Sequence, residues 1–230
     1  MKSKFSYKIN NPNNFNIIND SYVVPFGVRC PSAIACQYAS LREFSLPFDW
    51  CSPLSPKKIQ LVLENNFDDF IPNVHHGIFK NKYNFTLTHF NKDINEGIDA
   101  YKRRIDRFNT VINNRKKIYF IFINEDYLFN PAYRNDDYNN NIFKEMLEFE
   151  DFIKKKYKNI DYNILYFSFN HFDIPKKSNI INIVLHTKYL YECHDKAPYA
   201  AFRTFCGTIL TKLFKTKFTF KGTSKNIFNK

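Results

Sequence analysis

The sequence predicts an α/β or α+β fold, in which a central mixed sheet is flanked by helices. A continuous apolar run at 117–123 has the length of a strand that is covered on both faces. Two further strand-like segments, 162–167 and 180–185, alternate with helical patterns, as they do in layered α/β domains. The 230 residues are 44% hydrophobic and 18% aromatic, which suits one compact domain with an aromatic core.

The first predicted unit is a strand that leads into a helix. Residues 22–26 are β-branched and aromatic, and Gly27 ends the strand. Pro31 suits the first position of a helix. The apolar residues that recur at helical spacing predict one buried face, formed by Ile34, Tyr38 and Leu41.

The remaining elements follow in order. Ser55-Pro56 begins a second helix. A strand pair is expected at 77–79 and 83–89, where His89 shares a face with Phe85 and Leu87. The helical patterns that come after it cover 98–112 with a basic outer face, 142–156, and 200–213.

These elements divide the chain into three parts. Residues 1–21 form a polar segment, 22–213 form the single domain, and 214–230 form a basic, aromatic tail. The Asn-rich stretches at 9–19 and 135–141 are expected to be loops.

Composition limits the classes of function. The net charge of +12 favours anionic partners, although much of the lysine excess is typical of an AT-rich genome. Five cysteines without a CxxC spacing favour a reducing compartment. No apolar stretch has the length of a signal peptide or a membrane span, so we expect a cytoplasmic protein that is neither secreted nor membrane-bound. Five glycines exclude phosphate-binding loops, and no cofactor is expected.

Cys30 has a position that can make a thiol reactive. It lies between a predicted strand and the start of a helix, where the positive end of the helix dipole favours the thiolate. The alternative is that Cys30 is a small buried hydrophobic residue.

The segment around Cys30 includes Gly27 and the Pro-Phe-Asp-Trp element at 47–50, and it is followed by His89, by an arginine-rich segment at 103–108 and by the hydrophobic run at 118–123. This combination resembles a family of papain-like cysteine peptidases whose function is otherwise unknown. In that family a glycine precedes a cysteine, an apolar helix follows, and a Pro-Phe-Asp-Trp element ends the segment. A histidine on a strand, an Arg-Arg-hydrophobic-x-Arg-Phe helix and a hydrophobic strand come later. The matching residues here are Gly27, Cys30, 47–50, His89, 103–108 and 118–123.

The resemblance implies a papain-like fold with Cys30 as nucleophile, His89 as base and a third residue that orients the histidine. Asn124 is the first choice for the third residue and Asp126 the second, although both are also common turn residues. Phe90 replaces the Asp that often follows the family's histidine, and no glutamine precedes Cys30 to build an oxyanion hole. Backbone N–H groups at Cys30 and the helix start can take that role.

Three residues near the nucleophile are candidates for substrate binding, namely Arg29, Asp49 and Trp50. For Asp49 the simpler interpretation is a turn or helix-cap carboxylate that fixes the loop beside Trp50. No metal site is predicted, because the adjacent His75 and His76 point to opposite faces of an extended segment and Cys193-His194-Asp195 lacks a recognised zinc spacing.

Two functions follow from these patterns. The first is a thiol hydrolase or acyltransferase that acts on a peptide or another acylated substrate. The second is a catalytically inactive module that binds nucleic acid or an anionic polymer, for which the lysines and phenylalanines of 214–230 are suited. The composition resembles that of giant DNA viruses, so the host cytoplasm or the virion is the expected location.

Overall fold

The structure is a computed structural model that describes residues 5–10, 17, 20–27, 30–52, 55–71, 81–87, 93–125, 135–187 and 196–219. The strands of its main sheet are β1 (Phe5–Asn10), β2 (Ser21–Gly27), β5 (Lys117–Ile123), β6 (Tyr162–Ser168) and β7 (Ile180–Thr187). A short second sheet pairs β3 (Cys51–Ser52) with β4 (Thr86–Leu87). The helices are α1 (Pro31–Tyr38), α2 (Pro56–Glu64), α3 (Ile94–Asn113), α4 (Asp136–Lys156) and α5 (Lys196–Phe214).

The main sheet has the strand order β1-β7-β6-β5-β2. Strands β2, β5, β6 and β7 run parallel, and β1 pairs with β7 in the antiparallel direction. In the register of these strands, Gly27 is paired with Ile123, and Ile123 is paired with Phe167. The carboxyl ends of β2, β5 and β6 therefore lie at one edge of the sheet. Open parallel sheets bind their ligands outside this edge.

Each face of the main sheet packs against its own group of helices. The face that carries Phe26, Phe120 and Tyr166 forms one core with α2, α3 and α4. The opposite face forms a second core with α1 and α5. This architecture confirms the predicted mixed α/β fold with a central mixed sheet between helices. Within the described ranges, no helix has both the length and the apolarity that a membrane span requires.

Helix α1 buries a different face from the one we predicted. Ile34 and Tyr38 are only partly buried, whereas the residues that contact the sheet or α5 are small. The reason is the close approach of the two helices: a Cβ added at Gly207 of α5 would lie 2.8 Å from the Tyr38 Cβ. The buried small residues of α1 and its end are Ala33, Ala35, Cys36 and Ala39.

Two Asn-rich regions contain more regular structure than we predicted. Residues 5–10, which we placed in a polar segment, form an edge strand whose alternating Tyr7 and Ile9 pack on the second core. The loop predicted at 135–141 is wrong. Asn135 caps α4 by accepting a hydrogen bond from the Tyr138 N–H at 2.7 Å, and acidic residues in the first turn suit the helix dipole.

The predicted strand pair is described only in part. Residues 77–79 lie outside the described residues, and β4 pairs with β3 instead. Phe85 and Leu87 are buried together, as their alternation predicted. Helix α3 includes the predicted 98–112 and extends further at both ends, with Asp93 as its N-terminal cap.

The chain that follows α5 packs on the end of α1 as far as it is described. Phe214 is the last residue of α5 and is buried, and Phe218 lies against the Tyr38 ring at 5.8 Å. Thr216 Oγ1 donates to the Ala39 carbonyl at 2.6 Å, and the Thr219 N–H donates to the Tyr38 carbonyl at 2.8 Å. Phe214 therefore belongs to the core, and Phe218 is partly buried against α1. Residues 220–230 of the predicted tail lie outside the described residues.

Candidate active site

Cys30 lies at the carboxyl edge of the main sheet, immediately before α1. It is the N-terminal cap residue of that helix, and its carbonyl accepts the first helical hydrogen bond from the Ile34 N–H at 3.0 Å. Its side chain is partly exposed and does not cap the helix. The Cys30 side chain therefore stands at the positive end of the α1 dipole, where negative charge is stabilised.

A tight contact beneath Cys30 holds the turn between β2 and α1. The Ser32 hydroxyl accepts a hydrogen bond from the Ile123 N–H at 3.1 Å, which ties the start of α1 to the end of β5. A Cβ added at Gly27 would lie 2.3 Å from the Ser32 Oγ. Only glycine leaves room for this hydrogen bond. Gly27, one of the residues on which the resemblance to papain-like peptidases rests, therefore has a packing role.

The other cysteines that the structure describes differ from Cys30 in burial. Cys36, Cys51 and Cys206 are fully buried, and burial raises the pKa of each thiol well above its usual value. A thiol with a raised pKa has little thiolate to react. Among the four described cysteines, Cys30 is thus the one that is placed for nucleophilic chemistry. Cys193 lies outside the described residues.

Asn124 follows β5 at the same edge as Cys30. Its N–H donates to the Phe167 carbonyl at 3.1 Å, and its side chain is 1% exposed. The amide lies beside the Tyr166 hydroxyl, on the sheet face that α4 covers, and Oδ1 accepts no hydrogen bond from the described residues. Since His89 and Asp126 lie outside the described residues, the predicted triad stays a prediction.

Glu125 is a buried charge at this edge that our sequence analysis did not single out. Its side chain is fully buried and lies 3.6 Å from the Arg203 guanidinium of α5. Burial is the largest cause of the raised pKa of Cys206, and the Glu125 carboxylate raises that pKa further. Glu125 therefore lies on the side of the sheet that α1 and α5 cover. Asn124 and Glu125 therefore face opposite sides. The available signal was an acidic residue two positions after the apolar run of 118–123.

The Pro-Phe-Asp-Trp element forms a buried loop beside the end of β2. Asp49 Oδ2 accepts from Arg42 Nη2 at 2.6 Å, from Arg42 Nε at 2.9 Å and from the Leu46 N–H at 3.0 Å. The Arg42 guanidinium also lies over the Trp50 ring, 5.5 Å from its centroid. Asp49 thus fixes the loop in the way the simpler interpretation predicted.

The roles in substrate binding remain predictions. Asp49 and Trp50 are almost fully buried, and Arg29 lies outside the described residues.

The arginine-rich part of α3 supports the same loop. Arg107 Nη1 donates to the Ser45 carbonyl at 3.4 Å, and Phe108 packs against Phe48 with ring centroids 6.1 Å apart. Arg104 contributes to the electrostatic field at Asp49, lowering a carboxyl pKa that burial raises. The arginine-rich part of α3 and the Pro-Phe-Asp-Trp loop, which are far apart in the sequence, are therefore in contact in the fold.

No protein-family model, curated protein or solved structure matches the chain. The resemblance to papain-like cysteine peptidases therefore rests on the residues quoted above and stays a prediction. Across the described ranges, no three His, Cys, Asp or Glu side chains lie close enough together to hold a metal ion.

Proposed function

We propose that the chain is a thiol hydrolase or acyltransferase of papain-like type, in which Cys30 attacks a peptide or another acylated substrate. The observation that carries the proposal is the placement of Cys30: partly exposed, at a helix N-terminus, and at the carboxyl edge of a mostly parallel sheet. The papain-like arrangement of His89 and of Asn124 or Asp126 around it is part of this proposal.

The proposed reaction has two steps. The Cys30 thiolate bonds to the acyl carbon, the bond from that carbon to the leaving nitrogen or oxygen breaks, and His89 delivers the thiol proton to the leaving group. Water, an amine or a hydroxyl then attacks the thioester carbon, which releases the acyl group and restores the thiol. Backbone N–H groups at Cys30 and the first turn of α1 stabilise the negative oxygen that forms in each step.

The cellular location is a further part of this proposal. Cys30, Cys36, Cys51 and Cys206 are free thiols, which is typical of proteins in a reducing compartment. We therefore place the protein in the cytoplasm, or in the host cytoplasm or virion if its source is a virus.

Activity-based profiling tests this function directly. The wild-type protein is treated with acyl and peptidyl electrophiles, and labelling is compared with Cys30→Ala and with Cys36→Ala, a buried cysteine of the same helix. The expected result is a single label on Cys30 that only Cys30→Ala removes. Labelling that persists in Cys30→Ala would contradict the proposal.

The catalytically inactive binding module is the competing outcome of the same experiment. It is supported by the net charge of +12, and it requires nucleic acid or anionic polymer binding that falls steeply with salt. Absence of any Cys30 label, together with such binding, would favour the module over the enzyme.

A further inference from the structure

We propose that Asp49 and Arg104 form a subsite for a carboxamide group beside Cys30, so that the substrate is peptide-like and carries an amide next to its reacting acyl group. The role of this subsite in catalysis rests on the proposed function, whereas ligand binding to the subsite can be measured independently of that function.

Asp49 leaves one buried oxygen without a donor. Oδ2 accepts three hydrogen bonds, whereas Oδ1 has no hydrogen-bond partner among the described residues, and the residue is 1% exposed. A buried carboxylate oxygen that lacks a donor destabilises the fold, because folding removes its water without replacement. The Oδ1 atom is therefore complementary to a group that donates an N–H.

Arg104 leaves one buried donor without an acceptor. Its guanidinium stacks over the Tyr101 ring at 4.5 Å from the centroid, and its buried Nη1 has no hydrogen-bond partner among the described residues. Its neighbours on α3 differ, since Arg103 is exposed and Arg107 donates to the Ser45 carbonyl. Arg104 as a whole is only partly buried, so in this proposal the ligand approaches the cluster from its side.

A carboxamide satisfies both atoms at once. Its carbonyl oxygen accepts from the Arg104 guanidinium, and its N–H donates to Asp49 Oδ1. A carboxylate would place a second negative charge against Asp49, and an ammonium group would face the Arg104 cation. An ester offers the carbonyl but no N–H, which makes it the matched control ligand.

Packing connects this cluster to Cys30. Phe26 of β2, four residues before Cys30, contacts the Phe48 ring at 5.4 Å, so the loop that carries Asp49 lies against the strand that leads to the nucleophile. Cys51 ends this loop and donates its S–H to the Pro47 carbonyl at 3.2 Å. Burial raises the pKa of Cys51, and smaller effects come from both Arg104 and Cys30, so both residues lie within electrostatic range of one thiol.

The binding test uses N-acetylglycinamide and its ester isostere, methyl acetoxyacetate, with the Arg104 guanidinium ¹⁵N and ¹H NMR resonances as the readout. We expect saturable shifts with the amide and binding of the ester that is about 10-fold weaker, since an unpaired buried acceptor costs a factor of that order. Arg104→Met is expected to weaken amide binding about 10-fold, and Arg103→Met, its exposed neighbour, to leave binding unchanged. Equal binding of amide and ester would overturn the proposal, and so would the absence of any shift, which would mean that water alone occupies the cluster. The comparison of the two ligands uses the wild-type protein and does not depend on the folding of a variant.

A second measurement separates this proposal from the proposed function. Cys30 alkylation rates are compared for iodoacetylglycinamide and methyl (iodoacetoxy)acetate, each divided by its rate with glutathione, and we expect the relative rate of the amide to be about 10-fold higher. Equal relative rates at Cys30 would overturn the subsite and leave the thiol chemistry intact. NMR binding of the amide without any Cys30 alkylation would support the subsite and overturn the proposed reaction.

Discussion

The turn that carries Cys30 and the loop that carries Phe48, Asp49 and Trp50 are neighbours with opposite properties. In the loop, all three side chains are buried, and Asp49 is held by an arginine and a backbone N–H. In the turn, the Cys30 side chain is partly exposed and caps nothing. The loop is built for stability, whereas the turn leaves the Cys30 side chain partly exposed beside the N-terminus of α1.

This difference separates the residues that stabilise the fold from Cys30, the candidate reactive residue. The Pro-Phe-Asp-Trp element is the most distinctive part of the sequence, yet Phe48 packs on Phe26, Phe67, Phe70 and Phe108 as a core residue. Substitutions in the loop are therefore expected to change the free energy of unfolding, and substitutions at Cys30 to change reactivity.

The largest expected effect is that of Asp49→Ala. It leaves the Arg42 guanidinium, whose side chain is 10% exposed, without its carboxylate partner, and we expect a loss of about 3–5 kcal/mol in the free energy of unfolding. Urea denaturation measures this loss. Lys82→Ala is the control, because the Asp69–Lys82 pair is exposed on both sides and is expected to contribute little, and because the positive φ of Asp69 makes alanine unfavourable at that position. Similar losses in both variants would show that the loop is not the support we describe.

Gly27→Ala is expected to have the next largest effect. Its Cβ would overlap the Ser32 Oγ at 2.3 Å, and relieving such overpacking costs about 1–3 kcal/mol and displaces the Cys30 turn. The measurements are urea denaturation and the rate of Cys30 alkylation. The double variant Gly27→Ala/Ser32→Ala removes the closest atom and should recover part of both quantities. A double variant as impaired as Gly27→Ala would argue against this contact.

The far end of α1 offers a smaller change. Thr216→Val keeps the shape of the side chain but removes the hydroxyl that donates to the Ala39 carbonyl, and we expect a loss of about 1 kcal/mol. Because this contact is at the opposite end of the helix from Cys30, the alkylation rate of Cys30 should not change. Thr110→Val, at an exposed site on α3, serves as the control for the substitution itself. A large drop in Cys30 reactivity would mean that the turn depends on the whole helix.

The smallest expected change in stability is that of Cys30→Ala. The side chain is partly exposed, so we expect a change of less than about 0.5 kcal/mol, as for other surface positions. Cys51→Ala, at a fully buried position, is expected to cost more than about 1 kcal/mol in the same denaturation experiment. A Cys30→Ala variant that unfolds as readily as Cys51→Ala would indicate that Cys30 is a core residue.

The sequence predicted the elements that have strong periodicity. The apolar run of β5, the amphipathic α3 and the strand that ends at Gly27 all lie where their patterns place them. The patterns failed where packing partners decide the structure. Helix α1 buries its small residues because α5 approaches closely, and Asn135 caps a helix that composition alone suggested was a loop.

Within the candidate site, the position of Cys30 before a helix and that of Asn124 after β5 were predictable, whereas His89 and Asp126 lie outside the described residues. A turn between a strand and a helix is a local feature, so its spacing can be read along the chain. The burial of Glu125 beside Arg203 and the hydrogen bond from Arg107 to the Ser45 carbonyl join residues far apart in the sequence, and no local pattern carries that information.

The measurement that tests the central claim most directly is iodoacetamide labelling of the native protein at about pH 6, read by peptide mass analysis at all five cysteines. We predict rapid labelling of Cys30 that is lost in His89→Ala and kept in His171→Ala, a histidine that is exposed. Because burial raises the pKa of Cys36, Cys51 and Cys206, their thiols stay protonated and unlabelled. Slow, equal labelling of all five cysteines, unchanged in His89→Ala, would contradict the account.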